Sequence, residues 1–180
     1  SDVNPTYRCL ATNYLGVDSP VLNICYLDIE ADFDPEKGFS APEDPTTSIT
    51  AITVYLSQLK QLITLALRPK TMDHNIAQTV ANNFENTFVY GSEKELLQTF
   101  LDLIQDSDII TGWNSEGYDL PYLINRVTRV LSKNDTRRFC LWDKYPKKFS
   151  YEKYGGEQTS YSLIGRVHLD YLELYRKYTY

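Results

Sequence analysis

Asp28 and Glu30 stand two positions apart in Asn23-Ile24-Cys25-Tyr26-Leu27-Asp28-Ile29-Glu30, a run that otherwise reads as a buried β-strand. Alternate side chains of a strand point to the same face, so both carboxylates project together from the strand end. Neighbouring anions raise one another's proton affinity unless a cation lies between them, so the occupant such a pair selects is a hard divalent metal. A solvated strand end is the alternative. Ile24, Cys25, Leu27 and Ile29 mark an interior strand, however, and such a strand rarely ends in two same-face acids without a partner for them. A further acid, Asp119, follows the turn Trp113-Asn114-Ser115-Glu116-Gly117 just ahead of Pro121. There it can act as an N-cap and also face the end of an adjacent strand, where α/β folds place their sites.

The elements that must position these acids are legible in outline. Residues 1–22 lack sustained periodicity and read as an N-terminal arm or linker. The strand at 23–30 is followed by an acidic, Pro-rich loop and two apolar segments, 49–56 and 59–67, which together form an antiparallel meander. A short helix is predicted over 72–82 and a short strand over 87–90. Ser92-Glu93-Lys94-Glu95 is a capping box opening a helix whose Leu96, Leu97, Phe100, Leu101 and Ile104 share one face. A buried strand over 108–112 leads through the 113–117 turn into a helix burying Leu120, Leu123, Ile124, Val127, Val130 and Leu131. Residues 138–162 interleave lysines with aromatics and read as a β-hairpin insertion, before a strand over 163–170 and a helix over 171–178. The expected class is α/β, a mixed sheet flanked by helices of ribonuclease H-like architecture.

The 180 residues, 42% of them hydrophobic, suffice for one domain with a substantial core. No apolar run approaches a membrane span, and Ser1-Asp2-Val3-Asn4-Pro5 lacks the layout of a signal peptide, so no membrane partner and a cytoplasmic location are expected. Cys9, Cys25 and Cys140 are odd in number and widely spaced, which argues against a disulfide framework or a zinc ribbon. The net charge of -6 disfavours a dedicated nucleic-acid binder. That average hides an asymmetry: between Arg126 and Lys153, nine Lys or Arg face three acids, whereas residues 1–45 carry nine acids and two bases. The split suits an enzyme that holds a polyanion and cuts it.

Asp28-Ile29-Glu30, with Phe39, Pro42 and Ile49-Thr50-Ala51-Ile52-Thr53 after it, resembles the first exonuclease motif of family B DNA polymerases. Gly112-Trp113-Asn114-Ser115-Glu116-Gly117-Tyr118-Asp119-Leu120-Pro121-Tyr122-Leu123 resembles their second, and Leu169-Asp170-Tyr171-Leu172-Glu173-Leu174-Tyr175 a further segment of the replicative polymerases of large tailed phages. The resemblance covers 23–180. It implies the proofreading 3′-5′ exonuclease domain of a DNA-directed DNA polymerase, in the cytoplasm of a phage-infected host. The implied reaction is two-metal-ion hydrolysis, with Mg²⁺ or Mn²⁺, of the terminal phosphodiester of single-stranded or mismatched DNA. The implied partners are a single-stranded 3′ end or primer-template DNA and the remainder of the polymerase chain. By motif, Asp28 would bridge both metals, Glu30 would hold the ion that activates the attacking water, and Asp119 would anchor the second ion. Asn114, Tyr118 and Phe39 match positions that touch the terminal nucleotides, where stacking a base on an aromatic ring contributes about 1–3 kcal/mol without reading sequence. The 138–162 segment matches a hairpin that helps separate primer from template.

The third motif of that family, Tyr-x-x-x-Asp, should follow the second. No tyrosine beyond Asp119 has Asp four positions later, so 23–180 is expected to be a partial exonuclease domain, weakly active or inactive alone. His168 has Glu173 at the spacing of the related His-x-x-x-x-Asp motif, which reads as coincidence. Two other classes compete: a catalytically silent nucleic-acid-binding module of the same fold, and a calcium-binding loop at Asp32-x-Asp34-x-Glu36 with Glu43. For the latter Gly38 sits one place late, and Pro35 and Pro42 break the loop. A glycosidase would need acids on opposite sides of a cleft, which adjacent same-face acids do not supply.

Overall fold

The structure, a computed structural model, describes residues 3–153 and 155–179. Its elements are α1 (Pro5–Asn13), β1 (Ile24–Ala31), β2 (Ile49–Leu56), β3 (Gln61–Leu67), α2 (His74–Ala81), β4 (Thr87–Tyr90), α3 (Glu93–Leu103), β5 (Ile109–Gly112), α4 (Asp119–Val130), β6 (Lys147–Lys153), β7 (Gly156–Ser162), β8 (Val167–Asp170) and α5 (Tyr171–Tyr178), with a 3-10 turn at Asn134–Phe139. Six strands form one mixed sheet in the order β4-β3-β2-β1-β5-β8, and β6 pairs with β7 separately. β1, β2 and β3 are the antiparallel meander, while β5 and β8 run parallel to β1. This is the helix-flanked mixed sheet expected of a ribonuclease H-like exonuclease.

β1 lies inside the sheet and obeys period 2: Cys25, Leu27 and Ile29 are buried, while Tyr26, Asp28 and Glu30 are exposed. Register carries the buried stripe across the meander, Leu27 opposite Val54 and Ile29 opposite Ile52, then Val54 opposite Ile63. α3 packs over this face, fixed at its start by Ser92, whose hydroxyl accepts from the Glu95 N–H and donates to the Glu95 carboxylate at 2.9 Å. Leu96, Leu97, Phe100 and Leu101 of α3 join Leu120, Tyr122, Leu123, Ile124 and Val127 of α4 and the β1 stripe in one core. Removing each such side chain from water contributes roughly 1.5–3 kcal/mol.

α4 also grips the β1–β2 connection. Arg126 makes a buried, two-pronged ion pair with Glu93 (2.7 and 2.6 Å) and donates to the carbonyls of Pro45 and Thr46 and to Ser48 Oγ. Tyr122 Oη donates to the Thr47 carbonyl at 2.8 Å, and Asn125 to that of Pro42 at 2.7 Å. The loop that carries Phe39 is thereby anchored to the helix that carries Asp119.

Three expectations shift in detail. Within 1–22, α1 forms behind an Asn4 cap with Pro5 at its start, and no residue of it is buried. Periodicity could not reveal it, because the helix has no face to hide. The hairpin is narrower than 138–162: residues 138–146 instead finish the 3-10 turn and pass through Trp142 and Asp143, both at positive φ. β8 starts at Val167 rather than 163, because Gly165 bends the backbone at φ 79° where a Cβ would lie 2.7 Å from the Trp142 ring.

Gly112 ends β5 so close to β1 that a Cβ would sit 2.6 Å from the Leu27 carbonyl oxygen. That contact involves two backbones, so it cannot relax by a side-chain rotation. Gly112→Ala should lower stability by about 1–3 kcal/mol in urea titration, and an unchanged midpoint would mean the strands are free to separate.

Candidate active site

The site begins with a gap in the β-ladder. β1 pairs with β5 only from Ile24 to Tyr26, matched to Ile109 through Thr111. Beyond that point β5 ends at Gly112 and the chain turns away, leaving the last residues of β1 without a strand on that side. Asp119, the first residue of α4, fills the gap: its Oδ1 accepts the Ile29 N–H at 3.2 Å. Tyr118 takes the N-cap position without a side-chain bond to the helix, so the expected capping role of Asp119 is replaced by a bond to β1.

Asp119 is only 5% exposed, and its pKa is pushed up to about 7. Burial is the main cause; the negative charge of Asp28 adds to it, while the hydrogen bonds from its own N–H and that of Ile29 pull the other way. Asp28 and Glu30 remain exposed on the outer face of β1. Among the described residues, none of these three acids forms an ion pair with Lys or Arg. Asp28 and Asp119 are thus brought within electrostatic reach, and Glu30 lies beside them, near enough that Tyr118 is held above its ordinary pKa by burial, by Tyr122, and by the charges of Asp119 and Glu30. The three do not close into a finished ligand set: among the described residues, no group of three or more Asp, Glu, His or Cys side chains is arranged to hold a metal ion.

The residues matched to nucleotide contacts are accessible. Phe39 is 68% exposed and meets the Phe33 ring edge-on at 5.1 Å, so it is not a core residue. Tyr118 is half-buried and leans on Tyr122, with ring centres 5.4 Å apart. Asn114 adopts φ 55°, and its carbonyl accepts from Gly117 and Tyr118, which closes the turn. In the acidic loop after β1, Asp34 Oδ1 accepts the N–H groups of Glu36 and Lys37, a local turn that lowers its pKa.

Two features were not singled out from the sequence. Asp170 ends β8 opposite Gly112 of β5, is 6% exposed, and contributes to the raised pKa of Asp119. The available signal was its pattern, an acid that ends an apolar strand just ahead of a helix. Tyr14 and Asp18 have the Tyr-x-x-x-Asp spacing but precede β1 and are exposed, in the wrong chain order for a third motif. His168 does not act through Glu173; its Nε2 lies 2.9 Å from Ser115 Oγ, and burial lowers its pKa to about 4, so it is neutral near pH 7.

The family described as DNA polymerase family B, exonuclease domain, matches residues 2–180, so the chain belongs to that family. The match takes in the segment before β1 as well as the motifs. The chain is similar to the DNA-directed DNA polymerase of Enterobacteria phage T4, 34% identical over 51% of this chain and 10% of that polymerase. It is similar in the same way to that of Escherichia phage RB69, 33% identical over 51% of this chain and 10% of the relative. The DNA polymerase of Red sea bream iridovirus is 27% identical over 86% of this chain and 14% of the relative. The matched stretches thus span about a tenth of the two phage relatives. Among the described residues, no helix is long and apolar enough to cross a membrane.

Asp119 and His168 pull the metal-free stability in opposite directions over one pH window. Asp119, with a folded pKa raised to about 7, contributes stability that is present below the ordinary carboxylate range and lost as pH rises through about 7. His168, with a folded pKa depressed to about 4, contributes stability that is present above its ordinary value and lost as pH falls through about 4. In EDTA, Asp119→Asn should gain stability at pH 7, by roughly 1–4 kcal/mol, and grow more stable from pH 4 to 6.5. His168→Gln should instead lose stability from pH 4 to 7. Parallel pH profiles for the two variants would contradict these environments.

Proposed function

We propose that this chain is the proofreading 3′-5′ exonuclease unit of a DNA-directed DNA polymerase, hydrolysing the terminal phosphodiester of single-stranded or mismatched DNA. The observation that carries the reading is the Asp28–Asp119 juxtaposition: a carboxylate whose proton affinity is raised by burial and then by a second acid, beside a third, with no ion pair to Lys or Arg among the described residues. Such surplus negative charge fits a divalent cation, and the all-oxygen donor set fits Mg²⁺ or Mn²⁺. Asp28, Glu30 and Asp119 would hold two such ions. When bound, these would neutralise charge on the scissile phosphate, lower the pKa of the attacking water and stabilise the departing 3′ oxygen.

The chain's own residues account for the rest. Asp119 is held on β1 by the Ile29 N–H, which fixes one carboxylate while Asp28 and Glu30 remain open to a substrate approaching from solvent. Phe39 and Tyr118 offer ring faces for terminal bases, and such stacking is indifferent to base identity, as an editor of any mismatch requires. Asn114 stands on the same turn. The basic stretch ending in the β6–β7 hairpin supplies the charge that attracts a polyanion. The cytoplasm of an infected host and the rest of a polymerase chain are the setting this reading implies. A chain without a Tyr-x-x-x-Asp beyond Asp119 lacks one water-orienting tyrosine and one acid, so it should bind metal better than it cuts DNA.

Calorimetric titration with Mn²⁺ tests the reading. The unmodified chain should show saturable binding that Asp28→Ala abolishes and Asp32→Ala leaves intact; the reverse pattern would point to the acidic loop as a calcium-type site. A longer polypeptide, extended by on the order of 50 residues to include the third motif, should degrade single-stranded DNA from its 3′ end with Mn²⁺. Binding of DNA and metal without cleavage in that polypeptide would identify a catalytically silent module.

A further inference from the structure

β8 touches the 113–117 turn at three successive residues. Asp170 Oδ1 accepts the Asn114 N–H at 3.1 Å and the Leu172 N–H at 2.9 Å, and its Oδ2 accepts the Glu116 N–H at 3.1 Å. Two positions earlier on the same strand face, His168 Nε2 meets Ser115 Oγ at 2.9 Å. Ser115 donates its single proton to the Gly112 carbonyl at 3.1 Å, so the imidazole must be the donor in the His168–Ser115 contact. Asn114 sits at φ 55°, in the left-handed region that Asn tolerates better than most residues with a Cβ, and its N–H is tied to Asp170. Tyr118 and Asp119 leave directly from this turn.

We propose that Asp170 is a positioning residue for the site, one that, with His168, sets the 113–117 turn and hence where Asp119 stands against β1, without holding a metal itself. The proposal rests on the exonuclease reading. An acid at this place invites the opposite assignment, a fourth metal-binding carboxylate. The hydrogen bonds weigh against it, because three backbone donors from the turn and α5 fill about three of the carboxylate's four acceptor positions, both of those on Oδ1 and one on Oδ2, and they aim the group at the turn. Register adds the reason for the residue type: Asp170 lies opposite Gly112, so a short side chain with two acceptors can reach across the end of β5 where a longer one would overshoot.

The experiment is amide hydrogen exchange by NMR, combined with Mn²⁺ titration, on the 180-residue chain and three variants. In Asp170→Ala, the Asn114 and Glu116 amides should exchange at least about tenfold faster, and Mn²⁺ affinity should fall about tenfold with the number of bound ions unchanged. In Asp170→Asn, which keeps one acceptor oxygen, Asn114 should remain more protected than Glu116. Ser115→Ala leaves β8 and α5 intact, so it should weaken Mn²⁺ binding in the same direction even if Asp170→Ala proves too unstable to study. Loss of a bound ion in Asp170→Asn, to the extent seen in Asp28→Ala, would overturn the proposal in favour of direct ligation. Faster exchange at Leu172 alone, with turn protection and metal affinity unchanged in Asp170→Asn and Ser115→Ala, would also overturn it, since Asp170 would then only cap α5. If no variant or parent binds Mn²⁺, the exonuclease reading fails, and exchange at Asn114 and Glu116 still decides whether β8 sets the turn.

Discussion

The hydrogen bond from the Ile29 N–H to Asp119 joins two residues 90 apart in sequence, and the site depends on it. A parallel partner would normally continue the ladder along β1, but β5 ends at Gly112, so a backbone donor at the end of this interior strand needs an acceptor from elsewhere. A side-chain carboxylate supplies it. The consequence is chemical as well as structural: the acceptor carries a charge, and it is brought beside Asp28 in a buried place where that charge is costly. Folding brings the acids together at the expense of stability, as sites poised to receive a cation commonly do.

Everything around this joint limits the freedom of the two pieces it connects. Gly112 lets β5 approach the Leu27 carbonyl, the 113–117 turn launches α4, and the Arg126–Glu93 pair on α3 and α4 ties down the loop that follows β1. Removing one partner of that buried pair would leave an uncompensated charge, a loss of about 3–5 kcal/mol. The same helix therefore carries an acid of the site at its first turn and, further along, clamps the loop that presents Phe39. A displacement of α4 would move both together.

Much of this was legible in the sequence because it rests on periodicity and on short-range chemistry. Period 2 in β1 marked the strand and placed Asp28 and Glu30 on one face, and the Ser92–Glu95 capping box marked the start of α3. Asp119 was picked out by its turn with two roles, an N-cap and an acid facing the end of an adjacent strand; the structure keeps the second, and its detail, the bond to Ile29, depends on where β5 stops relative to β1. Asp170 offered only a local pattern, an acid between a strand and a helix, because two of its three donors come from a turn distant in sequence and the third from the helix it begins. α1 escaped because it buries nothing, the hairpin was drawn too wide because the backbone bends at Trp142 and Asp143, and β8 was drawn too long because it bends at Gly165.

Anomalous diffraction from crystals grown at neutral pH with Mn²⁺ tests the shared site most directly. The account predicts a manganese peak between the carboxylates of Asp28 and Asp119, with Glu30 turned toward it and Asp170 still bonded to the backbone of Asn114 and Glu116. Manganese found only at the acidic loop of Asp32 to Glu36, with Asp119 bonded to Ile29 and remote from any ion, would contradict it.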